Sequence, residues 1–318
     1  MKLSIVTTLY RSAPYIEEFH RRAGAAARQV AGDDYEIVMV NDGSPDHSLE
    51  TALRLVEADP RLMVIDLSRN FGHHKAVMTG LSHCAGDLIY FLDVDLEEEP
   101  EWLEPFHRRM LAEGCDVVYG VQETRKGGWF ERWSGYWFYC FFYIITGLRI
   151  PKNAVSARLM TRGYVEALLG HRERELFLAA IMHVTGFAQC PYTVKKHHSS
   201  PTTYSLRKKL SLLVTAVTSF SNVPLKAIFY CGSLISAGAM LYIAYLVLNR
   251  WLWSSPLGGW TSLMSSIWLL GGLNIMFIGV VGIYLAKMFS EVKQRPYTIV
   301  RRIYRSRAGK GQVLNSEK

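Results

Sequence analysis

Two long stretches near the end of this 318-residue chain contain no formally charged side chain, and they constrain its fold more than any other feature. They cover residues 227–249 and 263–286. A helix rises about 1.5 Å per residue, so each stretch would give roughly 35 Å of helix, enough to cross a hydrocarbon core of about 30 Å with some tilt. We therefore expect two transmembrane helices after a water-soluble domain over residues 1–226.

The charges around these stretches predict their orientation. Residues 287–318 carry nine Lys or Arg against two Glu, further basic residues precede the first stretch, and the loop between the two carries only Arg250. The positive-inside rule then places the soluble domain, both termini and the basic tail in the cytoplasm of a multi-pass inner (plasma) membrane protein. Such a tail is typical of contact with anionic membrane lipid and not with nucleic acid. The amphipathic segment 297–307 is expected on the inner leaflet.

Cysteine and aromatic residues add two expectations. The five cysteines are odd in number and widely spaced, which predicts neither a disulfide framework nor a thiolate zinc site and fits a reducing cytosol. Residues 127–148 hold ten aromatics. They could form a buried aromatic helix or a helix lying in the membrane interface, and the spans that follow favour the interface.

The first 122 residues alternate between short apolar runs and helix-like segments. The runs cover residues 3–9, 35–40, 62–67, 88–92 and 117–121; the helix-like segments begin near Pro14, at Ser44-Pro45, and cover 73–84 and 100–111. This alternation predicts an α/β domain with a mainly parallel sheet covered on both sides. In such sheets ligands bind at the carboxyl ends of the strands.

Two aspartates give the clearest signal of a site. Asp93 and Asp95 close a buried strand, and residues at i and i+2 can share a face. Their oxygens suit Mg²⁺ or Mn²⁺, which would also bind the oxygens of a diphosphate. The acidic residues 97–101 are expected to form a solvated helix N-terminus, Glu97 aside.

Two further loops follow predicted strands. Asp42 could accept a hydrogen bond from a ring N–H of uracil, thymine or guanine, although a plain Asx turn explains it equally well. Arg69 could reach a phosphate, and Gly72 could begin the next helix. We expect no metal site at His73 and His74, since neighbouring side chains on a helix diverge and no third ligand is visible. The motifs of dinucleotide dehydrogenases, P-loop ATPases, zincins and α/β-hydrolases are missing from the sequence.

Taken in order, these segments resemble the family-two glycosyltransferases, most closely the bacterial polyprenyl-phosphate glycosyltransferases related to dolichol-phosphate mannose synthase. The resemblance covers nearly the whole chain: SIVTTLY, VNDGSPD, LSRNFGHHKAVMTGL, FLDVDLEEEPEWL, VVYGVQETRKGG, ARLMTRG and TTYSLRKKL, then the paired spans. It implies a glycosyltransferase-A fold, which is Rossmann-like with a mainly parallel sheet.

The resemblance also implies roles for individual residues. It places the nucleotide sugar on Thr8, Tyr10, Asp42, Arg69 and Val94. It makes Asp93 and Asp95 the metal-diphosphate motif and gives Arg125 and Arg158 phosphate-binding roles in catalysis. On the acceptor-phosphate side it implies Lys196, His197, Tyr204 and Arg207. Departures from the family pattern fall mainly on that acceptor side, where Ala179, Ala180, His197 and Thr203 stand at positions usually held by other residues.

The implied activity is inverting transfer of one sugar from a UDP, dTDP or GDP sugar to polyprenyl (undecaprenyl) phosphate, giving a lipid-linked sugar for cell-surface glycan modification. The sequence does not determine the oligomeric state, although the lone spans and the aromatic segment are compatible with a homo-oligomer. Two alternatives stay open: a membrane glycosyltransferase that elongates a polysaccharide or lipid-linked glycan, and a non-catalytic membrane adaptor. The QxxRW-type motif and additional spans usual in the first are missing, and intact Asp42, Asp93 and Asp95 argue against the second.

Overall fold

Strands and helices alternate through the first part of the chain, as the sequence predicts. We describe residues 2–122, 143–145, 147, 153–171, 173, 178–195, 221–253 and 259–306 of a computed structural model. The first elements in chain order are β1 (Leu3–Leu9), α1 (Ile16–Ala31), β2 (Tyr35–Asn41), α2 (Ser48–Ala58), β3 (Leu62–Leu67), α3 (His73–His83), β4 (Leu88–Phe91), α4 (Leu103–Glu113) and β5 (Val117–Gln122). All five predicted strands are confirmed.

The remaining elements include the two long apolar helices. They are β6 (Ala154–Thr161), α5 (Arg162–Leu169), α6 (Leu178–Val184), β7 (Gln189–Val194), α7 (Val223–Trp253), α8 (Trp260–Val292) and β8 (Val300–Arg305). By length and composition, Val223–Tyr242 and Ser266–Val292 could each cross a membrane. Large apolar side chains on both helices, such as Leu234 and Trp268, are more than three-quarters exposed. Such exposure fits a lipid environment better than water.

One mixed sheet joins the eight strands in the order β7-β5-β6-β4-β1-β2-β3-β8. Four of its neighbouring pairs are parallel, including β1 with β2, β1 with β4 and β2 with β3. The pairs β3–β8, β4–β6 and β5–β6 are antiparallel. The sequence order therefore reverses between β1 and β4, and this reversal is where open α/β sheets form a ligand crevice.

Helices cover both faces of the central strands, because these strands are apolar on both sides. On one face Ile5 of β1 and Tyr90 of β4 share a core cluster with Phe19 of α1 and Phe106 of α4. On the other face α3 approaches so closely that a Cβ on Gly80 would lie 2.6 Å from Val6 Cγ1. The burial of β1 over its whole length follows from this double cover.

Three expectations need correction, and the first is the start of α2. The helix begins at Ser48 and not at Ser44-Pro45. The Ser44 hydroxyl accepts a hydrogen bond from the Arg11 N–H (2.7 Å) and donates to Asp46, so it holds loops together and caps no helix.

The second correction concerns the basic tail. Val300–Arg305 is not a separate tail but pairs with β3 as the last strand of the sheet, while its expected contact with the inner leaflet stays a prediction. Its Tyr304 packs against the core cluster of the sheet, which gives the segment an apolar anchor. The described residues divide into two compact units, and those from Arg295 onward belong with the sheet, not with the two long helices.

The third correction concerns the cysteines. Cys115, which precedes β5, forms a disulfide with Cys190 of β7, although the spacing predicted no disulfide. The two residues are 75 positions apart, and parallel pairing of β5 with β7 brings their Cα atoms to 6.2 Å. Such proximity is a property of the sheet, which local cysteine spacing does not encode. Cys84 and Cys231 are free.

Gly43 offers a test of how tightly two loops of the sheet pack together. It has a φ of +57°, and a Cβ there would lie 2.5 Å from the backbone of both Arg69 and Asn70. We expect Gly43→Ala to lower the thermal unfolding temperature in detergent. Left-handed strain costs about 1–2 kcal/mol, and overpacking adds about 1–3 kcal/mol.

The matched control is Gly114→Ala, at a φ of +62° with open space around the new methyl group. This variant should show the strain cost alone. Equal losses in the two variants would contradict the close approach of the two loops.

Candidate active site

Polar side chains gather where β1, β2, β3 and β4 end. The four strands run parallel, so their carboxyl ends meet at one edge of the sheet, and the crevice lies between β1 and β4. Thr8 lies at the end of β1, while Asp42 and Asp93 follow β2 and β4. The edge that the sequence predicts for the site is the one where these residues meet.

His73 joins two of these strand ends, a role that the sequence did not predict. It is the first residue of α3, whose N-cap is Gly72. Its Nδ1 lies 3.1 Å from Thr8 Oγ1, within hydrogen-bond distance, and its Nε2 lies 3.7 Å from Asp93 Oδ1, an ion-pair distance if the ring is protonated. The ring is 44% exposed. His73 is thus able to orient Asp93 while facing the crevice. From the sequence we consider His73 only as a possible metal ligand.

Asp93 and Asp95 lie in the turn after β4 and are accessible, and their binding of a metal ion stays a prediction. The Asp93 side chain is 30% exposed and Asp95 is exposed, while Val94 between them is buried. Asp95 Oδ1 accepts the Glu97 N–H at 3.1 Å, which fixes the turn after β4. Because the Val94 side chain is buried, Val94 could contact a nucleotide sugar only through its backbone. That contact stays a prediction.

The two carboxylates fit a divalent ion that is shared with a ligand. Among the residues the structure describes, no cluster of three His, Cys, Asp or Glu with closely spaced ligand atoms includes either of them. Mg²⁺ commonly binds one or two carboxylates and fills its other positions with water and phosphate oxygens. The donor set therefore suits an ion that also binds a diphosphate.

Glu98 corrects our interpretation of the acidic run. We expected it at a solvated helix N-terminus, yet it is 1% exposed and accepts the N–H groups of Ser156 (2.9 Å) and Ala157 (2.7 Å). Both donors belong to β6, the neighbour of β4. The carboxylate therefore anchors the loop that carries Asp93 and Asp95 to the next strand.

Arg158 follows these donors on β6 and is 7% exposed. It pairs across the sheet with Phe91 and Tyr119, and its guanidinium lies 5.6 Å from the centre of the Tyr119 ring. Burial lowers the pKa of this guanidinium, and interactions with Tyr164, Tyr119 and Glu98, in that order, oppose the shift. The side chain lies near the end of β4, and its expected contact with a phosphate stays a prediction.

Asp42 holds a neighbouring loop. It is 2% exposed, and its two oxygens accept the N–H groups of Phe71 (2.7 Å) and Gly72 (3.0 Å). Asp42 thus has a structural role in this loop, and its contact with a nucleobase stays a prediction. Arg69, in the same loop, is exposed and stacks 4.3 Å from the centre of the Phe71 ring.

A second group of polar residues fixes the loop after β1, which carries the half-exposed Tyr10. Asp46 accepts hydrogen bonds from Ser44, from Ser48 (2.6 Å) and from the Ala13 N–H (3.2 Å). Ser48 Oγ in turn accepts the Ser12 N–H at 2.9 Å. The loops after β1 and β2 are therefore linked directly. The alternation Ser-x-Asp-x-Ser is the signal in the sequence that could have indicated this link.

Several predicted residues lie outside the described part of the chain. They are Arg125, on the catalytic side, and Lys196, His197, Tyr204 and Arg207, on the acceptor side. Most of the aromatic segment 127–148 lies outside it as well.

With this geometry established, comparison with known proteins identifies the family. The model for "Glycosyl transferase family 2" matches residues 4–169, which include every strand end described above. The chain belongs to glycosyltransferase family 2. The family match and the mixed, mainly parallel sheet confirm the predicted fold class.

Relatives of this family 2 glycosyltransferase extend over both units. A Mycobacterium tuberculosis (strain CDC 1551 / Oshkosh) protein, named among glycosyltransferases, is 48% identical over 96% of this chain and 89% of its own length. The prophage bactoprenol glucosyl transferase homolog of Escherichia coli (strain K12) is 30% identical over 95% of this chain and 99% of its own. The crystal structure of S. aureus TarS 1-349 is similar over 70% of this chain and 66% of that chain, with a TM-score of 0.45 and 16% identity.

The link between the β1 and β2 loops predicts a pH dependence of stability in this family 2 glycosyltransferase. Partial burial opposes ionisation of Asp46, but hydrogen bonds from Ser44, Ser48 and Ala13 outweigh it and lower its pKa from 3.8 to about 2. Because the folded-state pKa lies below the unfolded one, ionised Asp46 stabilises the fold above pH 3.8. That contribution is lost as the pH falls from there towards 2.

The measurement compares the wild-type protein with Asp46→Asn in thermal unfolding. The variant should unfold at a lower temperature near neutral pH, and the difference should shrink between about pH 5 and pH 2.5. A difference that stays constant over this range would contradict the assigned role.

Proposed function

We propose that this family 2 glycosyltransferase transfers one sugar from a nucleotide diphosphate sugar to polyprenyl phosphate at the cytoplasmic face of the inner membrane. The observation that carries the proposal is the accessible Asp93 and Asp95 pair at the β1–β4 crevice, beside Thr8 and His73. Accessible carboxylates at this point of the sheet are suited to a metal-bound diphosphate. A relative that matches nearly end to end bears the name of a bactoprenol glucosyl transferase, which supports a lipid acceptor and makes glucose the first sugar to test.

The reaction needs charge control more than proton transfer. A lipid phosphate is already anionic near neutral pH, with a second pKa of about 6 by analogy with phosphoserine. Its oxygen would attack the anomeric carbon from the far side, forming a C–O bond while the bond to the nucleoside diphosphate breaks and inverting the anomeric centre. No strongly tuned general base is required.

Residues of this chain can supply much of that control. Asp93 and Asp95 would hold a Mg²⁺ or Mn²⁺ ion, which stabilises the negative charge of the departing diphosphate when it is bound. His73 would keep Asp93 oriented through the contact between them. Arg158, together with Arg125 and the acceptor-side residues Lys196, His197, Tyr204 and Arg207, remains proposed to bind phosphates.

The membrane assignment rests on the two apolar helices. Their length and composition permit two spans, and most of the nearby basic residues precede the first span or follow the second, while the segment between the two spans carries only Arg250. We propose that the sheet-containing unit faces the cytoplasm, the side on which the positive-inside rule places the flanking basic residues.

The first experiment asks whether transfer occurs and whether Asp95 is needed. Purified protein in lipid vesicles is incubated with polyprenyl phosphate, MgCl₂ and, in turn, UDP-, dTDP- and GDP-sugars. The mass of the lipid product is measured by mass spectrometry. Wild-type protein should form a product with one donor, and Asp95→Asn should lose about 10²-fold or more in turnover.

The control is Glu57→Gln, which removes an exposed carboxylate on α2 away from the crevice and should keep wild-type turnover. Product formation by Asp95→Asn at a normal rate would contradict the proposed site. Addition of many sugars per lipid would favour elongation of a glycan instead, and no turnover with any donor would favour a non-catalytic adaptor.

A second experiment tests His73. Removing its hydrogen bond with Thr8 and its contact with Asp93 should lower kcat/KM for the donor about five- to tenfold in His73→Ala, the size expected from one hydrogen bond. His83→Ala alters the far end of the same helix and should leave kcat/KM within about twofold. Similar effects in both variants would show that the loss arises from a general change in α3.

A further inference from the structure

The last strand of the sheet touches the loop that follows β3. β8 pairs with β3, and the Ser68 N–H donates to the Ile299 carbonyl oxygen at 2.9 Å just before that strand begins. The hydroxyl groups of Thr298 and Thr79 of α3 lie 2.8 Å apart. The residues just before β8 therefore contact the start of the loop that carries Arg69 and Phe71, and also α3, whose first residue is His73.

Arg301 of β8 adds a charged interaction to this contact. Its Nη1 lies 3.6 Å from Asp66 Oδ2, and its Nη2 donates to the Ser68 carbonyl oxygen at 2.7 Å. The Asp66 side chain is only 3% exposed, whereas that of Arg301 is 61% exposed. A carboxylate buried to this degree is costly unless a cation or several donors compensate it.

Asp66 is in turn linked by hydrogen bonds to the loop after β2. Its Oδ1 accepts the Asn41 side-chain amide at 2.8 Å, and Asn41 Oδ1 accepts the Ser44 N–H at 3.3 Å. Asn41 is 2% exposed and directly precedes Asp42, which holds Phe71 and Gly72. Arg301, Asp66 and Asn41 thus form a chain of polar contacts between the C-terminal strand and two loops of the crevice. We call this chain the Arg301 relay.

We propose that Arg301 is a positioning residue for the donor: acting through the Arg301 relay, it holds the loops after β2 and β3 in the arrangement that receives the nucleotide. This inference rests on the proposed function. Without the guanidinium, Asp66 keeps the Asn41 amide but loses its cation, and the freed Ser68 carbonyl loosens the loop that carries Arg69. The donor would then bind more weakly, while the acceptor side and the reacting groups at Asp93 and Asp95 stay unchanged.

The neighbouring Arg302 supplies a matched comparison. It is exposed on the same strand, carries the same charge and lies over the Tyr304 ring at 5.8 Å, with no ion pair to a buried carboxylate among the contacts the structure describes. A general attraction of β8 to anionic lipid would depend on both arginines. A positioning role depends on Arg301 alone.

The test compares Arg301→Gln with Arg302→Gln in the vesicle assay, with donor and acceptor varied separately. Arg301→Gln should raise the KM for the nucleotide sugar about five- to tenfold, the size expected from a charged hydrogen bond and an exposed ion pair, with kcat and the KM for polyprenyl phosphate within about twofold of wild type. Arg302→Gln should match wild type in all three. Arg301→Lys, which keeps the charge near Asp66, should recover part of the loss.

Amide hydrogen exchange gives a readout that does not require turnover. In Arg301→Gln the amides of residues 41–44 and 68–72 should exchange faster, whereas β1 and β5 should keep their wild-type rates; a variant that fails to fold would lose protection everywhere, and Arg301→Lys then provides the comparison. Unchanged exchange in these loops, or equal rises in the KM for polyprenyl phosphate in Arg301→Gln and Arg302→Gln, would overturn the inference. Absence of product from the wild-type protein would instead refute the proposed function, and the exchange result would still decide the positioning role.

Discussion

The site depends on one constraint: four parallel strands end side by side, and each is followed by a loop whose backbone donors need acceptors. Carboxylates of the chain fill much of this need. Asp42 accepts two N–H groups from the loop after β3, Asp46 links the loops after β1 and β2, and Glu98 accepts two from β6. Unsatisfied, such buried groups would each cost about 1–3 kcal/mol. Acidic residues at this edge therefore hold the loops of the crevice in place, in addition to the metal-binding role proposed for Asp93 and Asp95.

The strands, and the edge of the sheet at which the candidate residues gather, were predictable from the sequence because both are local properties. A run that is apolar on both faces suits only a strand with helices on either side, and the bounds of β1 and β3 match the predicted runs. Asp93 and Asp95 follow such a run directly. Their position at the ligand edge is then a consequence of the direction of β4.

The features that the sequence did not reveal are those that depend on distant partners. Glu98 looks solvated within an acidic run, and only the pairing of β4 with β6 brings it to the backbone of Ser156 and Ala157. His73 faces Asp93 only because α3 begins at His73, with Gly72 as its N-cap, and packs across β1. The segment at 300–305 is basic enough to suggest a lipid surface, yet the edge of β3 gives it hydrogen-bond partners and makes it a strand.

Chain connectivity adds an argument for the membrane topology that is independent of basic residues. β3 and β8 are hydrogen-bonded neighbours, so they must lie on the same side of any bilayer. The two apolar helices lie between them in sequence. A chain that leaves a folded sheet and returns to it must cross the membrane an even number of times, and two spans meet this requirement where a single span would not. The edge strand thus constrains the path of the helices that precede it, and supports the proposal that both ends of the pair face the catalytic side.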